Sequence, residues 1–147
     1  MGKFIKAGRV IVVLNGRYAG KKAVVVKTFD DGSRSRPYGH CLVAGVLKPF
    51  QKVTRKMSKK KVNKRLRVKP FVKYVNFNHM MPTRYQAPSD LDTKSLVTDA
   101  QMDNPDGRSE AKKAIKKLFE EKFKSPPADK SGKPSKDVIY LGKRLRF

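Results

Sequence analysis

Residues 8–27 read GRVIVVLNGRYAGKKAVVVK, and their reading decides the fold. A glycine pair followed by lysine, just after an apolar run, has the outline of a nucleotide-binding P-loop. That loop needs G-x-x-x-x-G-K-[ST], so that successive backbone N–H groups wrap the phosphates and a hydroxyl reaches Mg²⁺. Here three residues, not four, separate Gly16 from Gly20, and Lys22 stands where the hydroxyl belongs. The next residues, Ala23-Val24-Val25-Val26, are a β-branched run, whereas the phosphate site requires the N-terminus of a helix. The segment is a hairpin. Asn15-Gly16 takes the positive φ that such a turn demands, and Gly20 supplies a second permissive point. Arg17, Lys21 and Lys22 then ride on the loop tip, where phosphate groups can approach.

Outward from this hairpin, strand-length runs recur. Arg9–Leu14, Ala23–Phe29 and His40–Leu47 are rich in β-branched residues and bounded by turn residues such as Asp31-Gly32-Ser33. Val10, Val12 and Leu14 alternate with Ile11 and Val13, so both faces of the first strand are apolar. This predicts a small closed barrel, its open end sealed by Phe4 and Ile5. A fourth strand is expected from Pro70, where Phe71, Lys73, Val75 and Phe77 alternate with Val72 and Tyr74.

Charge dominates the composition. The 147 residues hold 36 Lys+Arg against 12 Asp+Glu, a formal net charge of +24. A free protein so charged repels itself and calls for a polyanion, nucleic acid before an anionic membrane surface. The layout is uneven: no Asp or Glu occurs from Gly32 through Ser89, a stretch with 15 basic residues. Within it Lys48–Lys69 has eleven basic residues in 22 and no evident helical or strand face. Such an arm buries too little apolar surface to offset the entropy of ordering, so it is expected to be mobile in the free protein. Its candidate phosphate contacts are Lys52, Arg55, Lys56, Lys59, Lys60, Lys61, Lys64, Arg65, Arg67 and Lys69. Asn76-Phe77-Asn78-His79-Met80-Met81-Pro82-Thr83-Arg84-Tyr85 is a candidate reader of RNA shape. Asn76, Asn78 and His79 offer donors to base edges or 2′-hydroxyls, and Arg84 and Tyr85 can stack or clamp. Met80 and Met81 are read as packing residues.

Acids return after Pro88. A helix is expected near 108–124, from a start at Asn104-Pro105 or, if Gly107 delays it, at Ser109. Ala111, Ala114, Ile115, Leu118, Phe119 and Phe123 recur at helical spacing, flanked by lysines. Residues 125–137 are a linker by their Pro, Ser and Gly. The chain closes on Val138-Ile139-Tyr140-Leu141 and a tail whose Lys143, Arg144 and Arg146 join the candidate phosphate contacts. Residues 1–86 are thus expected to form the barrel with its arm, and 87–147 an extension.

Several classes are set aside. One cysteine, Cys41, excludes an internal disulfide, and with His40 alone beside it a metal site lacks ligands. Neither histidine has an acid nearby in sequence, so no catalytic constellation is expected. The start has no long apolar region of a signal peptide, Lys6 breaks a myristoylation signal, and no apolar run approaches the length of a bilayer span. The expectation is a soluble intracellular protein with no cofactor, small-molecule substrate or membrane partner.

The hairpin, extended to AGRVIVVLNGRYAGKKAVVVKTFDDG, resembles a KOW motif, an RNA-binding element of SH3-like barrels in ribosomal proteins and transcription elongation factors. SRPYGHCLVAGV, KVTRKMSKKKVNKRLRVKPFVKYVNFNHMMPTRY, EAKKAIKKLFEEKF and the final KRLRF come after it in order. Together they resemble the eukaryotic-type large-subunit ribosomal protein twenty-seven family over almost the full chain. The resemblance implies an α+β protein: a small SH3-like barrel with a basic extended arm, a C-terminal helix and a tail. It implies large-subunit rRNA and neighbouring ribosomal proteins as partners, no catalysis, and a place on the cytosolic ribosome after nucleolar assembly. The linker Ser125–Asp137 is longer than usual for that family, and Val138–Leu141 replaces an aromatic-rich segment. The competing readings are a KOW-type transcription elongation or chromatin factor and, more remotely, a polybasic membrane-surface protein.

Overall fold

A computed structural model describes residues 3–146; Phe147, the aromatic end of the tail, lies outside them. Five strands form one antiparallel sheet in the order β4-β3-β2-β1-β5: β1 Arg9–Val13, β2 Lys22–Phe29, β3 His40–Lys48, β4 Lys69–Asn76 and β5 Met80–Gln86. Three α-helices complete the chain: α1 Lys59–Arg65, α2 Pro105–Lys124 and α3 Lys136–Gly142. Short 3₁₀ turns at Phe77–His79 and Asp99–Asp103 precede β5 and α2. The protein is therefore α+β.

Strand alternation sorts the apolar side chains into two cores. On one face Val10, Val24, Val26, Leu42, Ala44 and Val72 meet Ala111, Ile115 and Phe119 of α2 and Leu141 of α3. On the other, all five strands contribute to a second cluster through Ile11, Val13, Val25, Val43, Phe71, Val75 and Met80. Register irregularities between Arg9 and Ile11, Val25 and Lys27, and Val46 and Lys48 interrupt the ladders. Such bulges strengthen local twist, which bends a sheet toward its own inner face.

The expected closed barrel is corrected here. β4 and β5 are the two edges of the sheet, and its hydrogen bonding does not close. The doubly apolar β1 has another cause: α2 and α3 cover one face, while the curled sheet covers the other. Pro82 sits in edge strand β5, the position where a missing N–H is tolerated. Ile5 packs on the second core as expected, but Phe4 is 58% exposed, with the Arg9 guanidinium 4.9 Å above its ring.

Three local expectations also change. The segment Lys48–Lys69 is the long loop of a β3–β4 hairpin, closed at its neck by the pair Lys48↔Lys69, and it contains α1. That helix buries no residue; Ser58 caps it by accepting from the Lys61 N–H, and Val62 and Leu66 stand one turn apart on its better-covered side. Helix α2 takes the earlier of its two expected starts, Pro105 with Asn104 as N-cap, and so begins before the expected 108. Gly107 lies under the preceding turn, where a Cβ would come within 2.6 Å of the Gln101 carbonyl oxygen, so the glycine permits close approach instead of delaying the helix. The apolar end of the chain is α3, with Val138 and Leu141 buried.

Candidate nucleic-acid interface

The β1–β2 turn is rigid, and its backbone shows why. Gly16 and Gly20 both have positive φ, at 90° and 78°, as the hairpin reading requires. The Gly20 N–H donates to the Val13 carbonyl at 2.7 Å, and the Tyr18 ring stacks on Phe71 with centroids 4.2 Å apart. Arg17 is exposed and Lys21 half-buried on this tip. Lys73, which sequence reading left unassigned, joins them: its ammonium is 5.6 Å from the Tyr18 ring, and a Cβ on Gly16 would lie 3.2 Å from it. The signal was present, because Lys73 shares its strand face with Phe71 and Val75.

Lys22 is placed otherwise. It is 5% exposed, and its ammonium donates to the carbonyls of Tyr140 at 2.6 Å and Lys143 at 2.9 Å, 3.8 Å from the Tyr140 ring centroid. Burial, and secondly the positive charge of Lys143, lower its pKa from the ordinary lysine value. With its donors turned onto α3, Lys22 leaves the set of candidate phosphate contacts. Here too alternation carried the signal: Lys22 shares its face with Val24 and Val26, the face that the helices cover.

The arm displays its cations. Lys52, Arg55, Lys56, Lys59, Lys60, Lys61, Lys64, Arg67 and Lys69 are all exposed. Arg65 is half-buried and donates to the Lys52 carbonyl at 2.9 Å, while the Gln51 N–H donates to the Arg65 carbonyl at 3.0 Å. Arg65 therefore ties the two limbs of the loop together. At the root, the Val68 N–H donates to the Glu120 carboxylate at 3.0 Å. Lysines of α2 continue the basic surface, since Lys112, Lys113 and Lys116 line a groove with Lys69 and Pro70.

The candidate shape reader is divided. Asn76 accepts from the Asn78 N–H and so caps the 3₁₀ turn, whereas Asn78 and His79 are exposed. The Leu14 N–H donates to the His79 carbonyl at 2.9 Å, which brings this turn beside the β1–β2 tip. Arg84 is exposed, but the half-buried Tyr85 stacks on Tyr140 at 4.0 Å, so one ring face is taken by α3. Met80 is buried as expected and Met81 is 50% exposed. In the tail Lys143, Arg144 and Arg146 are all exposed; the first two share a cavity with Lys21.

Two ion pairs occur among the described residues, Lys3–Asp30 and Lys27–Asp99, and neither involves the acid-free middle. His40 and Cys41 face opposite ways, as strand neighbours do. His40 stacks on Phe29, while the Cys41 thiol points to the Met80 sulfur at 3.7 Å. No group of three metal-binding side chains occurs among the described residues, and no helix there is long and apolar enough to cross a membrane.

Residues 10–131 match the Ribosomal L27e protein family. The chain belongs to that family. Its relatives include the large ribosomal subunit protein eL27 of Pyrobotrys stellatus, 55% identical over 125 residues that span 85% of this chain and 91% of the relative. The eL27B protein of Saccharomyces cerevisiae is 52% identical over the same shares of both chains. The Tetrahymena thermophila eL27 protein is 47% identical over 148 residues, the whole of each chain. The family match thus runs from β1 to the turn after α2, and the Tetrahymena relative extends the likeness through α3 and the tail.

Proposed function

We propose that this chain is a structural constituent of the large ribosomal subunit that binds rRNA through phosphate contacts and shape recognition, with neighbouring large-subunit proteins as further partners. The observation that carries this reading is an acid-free run of cations, displayed on a long hairpin loop, none of which forms an ion pair among the described residues. A folded polyanion is the partner that neutralises such a surface. On this reading residues 1–86 form a KOW-type, SH3-like scaffold that faces RNA, and residues 87–147 brace it. The role is structural rather than catalytic. The protein works on the cytosolic ribosome and is assembled in the nucleolus.

If roughly half of the eleven free cations on the arm and turn contact phosphate, log K falls with log salt at a slope of about −4. Affinity then drops more than roughly a hundredfold between about 50 and 200 mM salt. The test is sedimentation of a tagged chain from cell extract on sucrose gradients at high salt. Stoichiometric recovery in free large subunits, monosomes and polysomes supports the reading. Recovery with RNA polymerase would favour a transcription factor instead, and recovery with membranes would favour a surface-bound protein.

A further inference from the structure

The C-terminal tail and the β1–β2 turn, read separately from sequence, meet around one cavity of about 120 Å³. Lys21 of the turn and Lys143 and Arg144 of the tail line it, together with Leu47 and Pro49 at the root of the arm. No Asp or Glu lines it among the described residues. Cations brought from opposite ends of the chain into one space repel each other, and an anion seated among them relieves that repulsion. The volume exceeds the roughly 30 Å³ of a single water, leaving room for a phosphate group.

Lys22 ties the start of the tail to the sheet, beside the packing of Val138 and Leu141. Its ammonium donates to two carbonyls at the end of α3, where the helix dipole is negative: that of Tyr140, which also accepts from the Lys143 N–H, and that of the C-cap residue Lys143. One of those carbonyls belongs to Lys143 itself, 121 residues away in sequence. The backbone that carries Lys143 and Arg144 is thereby fixed to the start of β2.

We infer that this cavity is a seat for phosphates of an RNA backbone, assembled from Lys21, Lys143 and Arg144, with Lys22 as the positioning residue that holds the tail in register. This rests on the RNA-binding reading above and names a site within it. Arg144 offers a planar fork to two phosphate oxygens, while Lys21 and Lys143 act as point charges. Three free cations exceed the single charge of one phosphodiester, and successive phosphates of a polymer supply the remainder.

The test uses the full chain and its large-subunit rRNA transcript, with affinity measured by filter binding from about 0.1 to 0.4 M KCl, roughly 10 to 5 Å in screening length. Lys143→Gln/Arg144→Gln, both at exposed positions, is expected to reduce the salt slope by about 1.5, two contacts' worth. Lys22→Met is expected to reduce it equally although Lys22 touches no RNA, Lys22→Arg to restore it, and the triple variant to fall no further than either parent. Hydrogen exchange at the Lys143 amide, which donates to the Tyr140 carbonyl, reports the tail directly and is expected to quicken in Lys22→Met. An unchanged slope in Lys143→Gln/Arg144→Gln overturns the site, and an additive triple variant or an unchanged Lys22→Met overturns the positioning role. Sodium pyrophosphate alone is the second probe. Saturation of the Lys143 amide shift by pyrophosphate as tightly as by RNA assigns the cavity to a free ion and overturns the RNA assignment. Absence of salt-dependent RNA binding in the unmodified chain instead refutes the functional reading itself.

Discussion

Gly45→Ala is the substitution whose consequence the structure fixes most narrowly. Gly45 lies on β3 opposite Ala23 of β2 and Phe71 of β4. A Cβ there would come within 2.5 Å of Phe71 Cε1 and 2.8 Å of the Lys22 carbonyl oxygen. Neither neighbour can yield. Phe71 is 1% exposed and covered by the stacked Tyr18 ring, and the carbonyl is backbone of the adjoining strand. Overpacking of a filled core costs about 1–3 kcal/mol, and rigid backbone among the overlapping atoms places this case near about 3. For a chain of this size that lowers the melting midpoint by roughly 6–12 °C. Thermal unfolding followed by circular dichroism at fixed salt reads the shift directly. Phe71→Leu should relieve part of the overlap, so Gly45→Ala/Phe71→Leu should be at least about 1 kcal/mol more stable than the two single losses predict. A midpoint for Gly45→Ala within about 2 °C of the parent, or strict additivity in the double variant, would show that the ring does not close on Gly45 as described.

Other perturbations separate the core from the charged surface. Phe119→Ala removes a fully buried ring from between α2 and the sheet and should cost about 3–5 kcal/mol in urea denaturation; Lys117→Ala on the same helix should stay within about 0.5. Ser58→Ala removes the cap of a helix that buries nothing, so amide exchange in α1 should quicken about fivefold with no change in the global midpoint. Burial pushes the Cys41 thiol up to about 12, above its unfolded value, so the native thiol should resist iodoacetamide at about pH 8 except through unfolding. The unfolded chain releases that proton first, so Cys41's contribution to stability is intact below about pH 9 and lost progressively toward about 12. Rapid alkylation of the folded protein at the lower pH would contradict its burial.

The sequence carried the strands more clearly than their closure. Arg9–Val13 and His40–Lys48 are legible because β-branched runs end at turn residues, and positive φ at Gly16 and Gly20 follows from the hairpin reading. A strand apolar on both faces, however, is equally consistent with a barrel and with a sheet covered by helices; only the docking of Ala111, Ile115 and Phe119 separates the two. Helix α1 escaped notice because local signals alone support it, a serine cap and the pair Val62 and Leu66, within a segment where charge conceals periodicity. Lys22 was misplaced for a different reason. Lys21-Lys22 reads as a pair on a turn, but β2 begins at Lys22, and from there alternation commits its side chain to the covered face. Tyr85 lost its open ring to a helix that Val138–Leu141 is too short to announce.

The same placement explains how so basic a chain keeps a fold. One apolar core draws on strands together with α2 and α3, the other takes its buried members from strands alone, and the exposed cations of the arm contribute nothing to either. The arm is held by contacts that need no counter-charge: the Lys48↔Lys69 neck, the Arg65 tie to the Lys52 carbonyl and the Val68 bond to Glu120. Even that acid is engaged by a backbone N–H, leaving the nearby lysines without a partner among the described residues. Repulsion along the loop is therefore carried at the surface, where solvent and salt screen it, and is relieved only when an external polyanion arrives. Stability and binding thus rest on different residues. Neutralising Lys59, Lys60 or Lys61 should weaken RNA affinity and flatten its salt dependence while leaving the core intact. Lys22 stands in both sets, buried like a core residue and yet controlling where two surface cations lie.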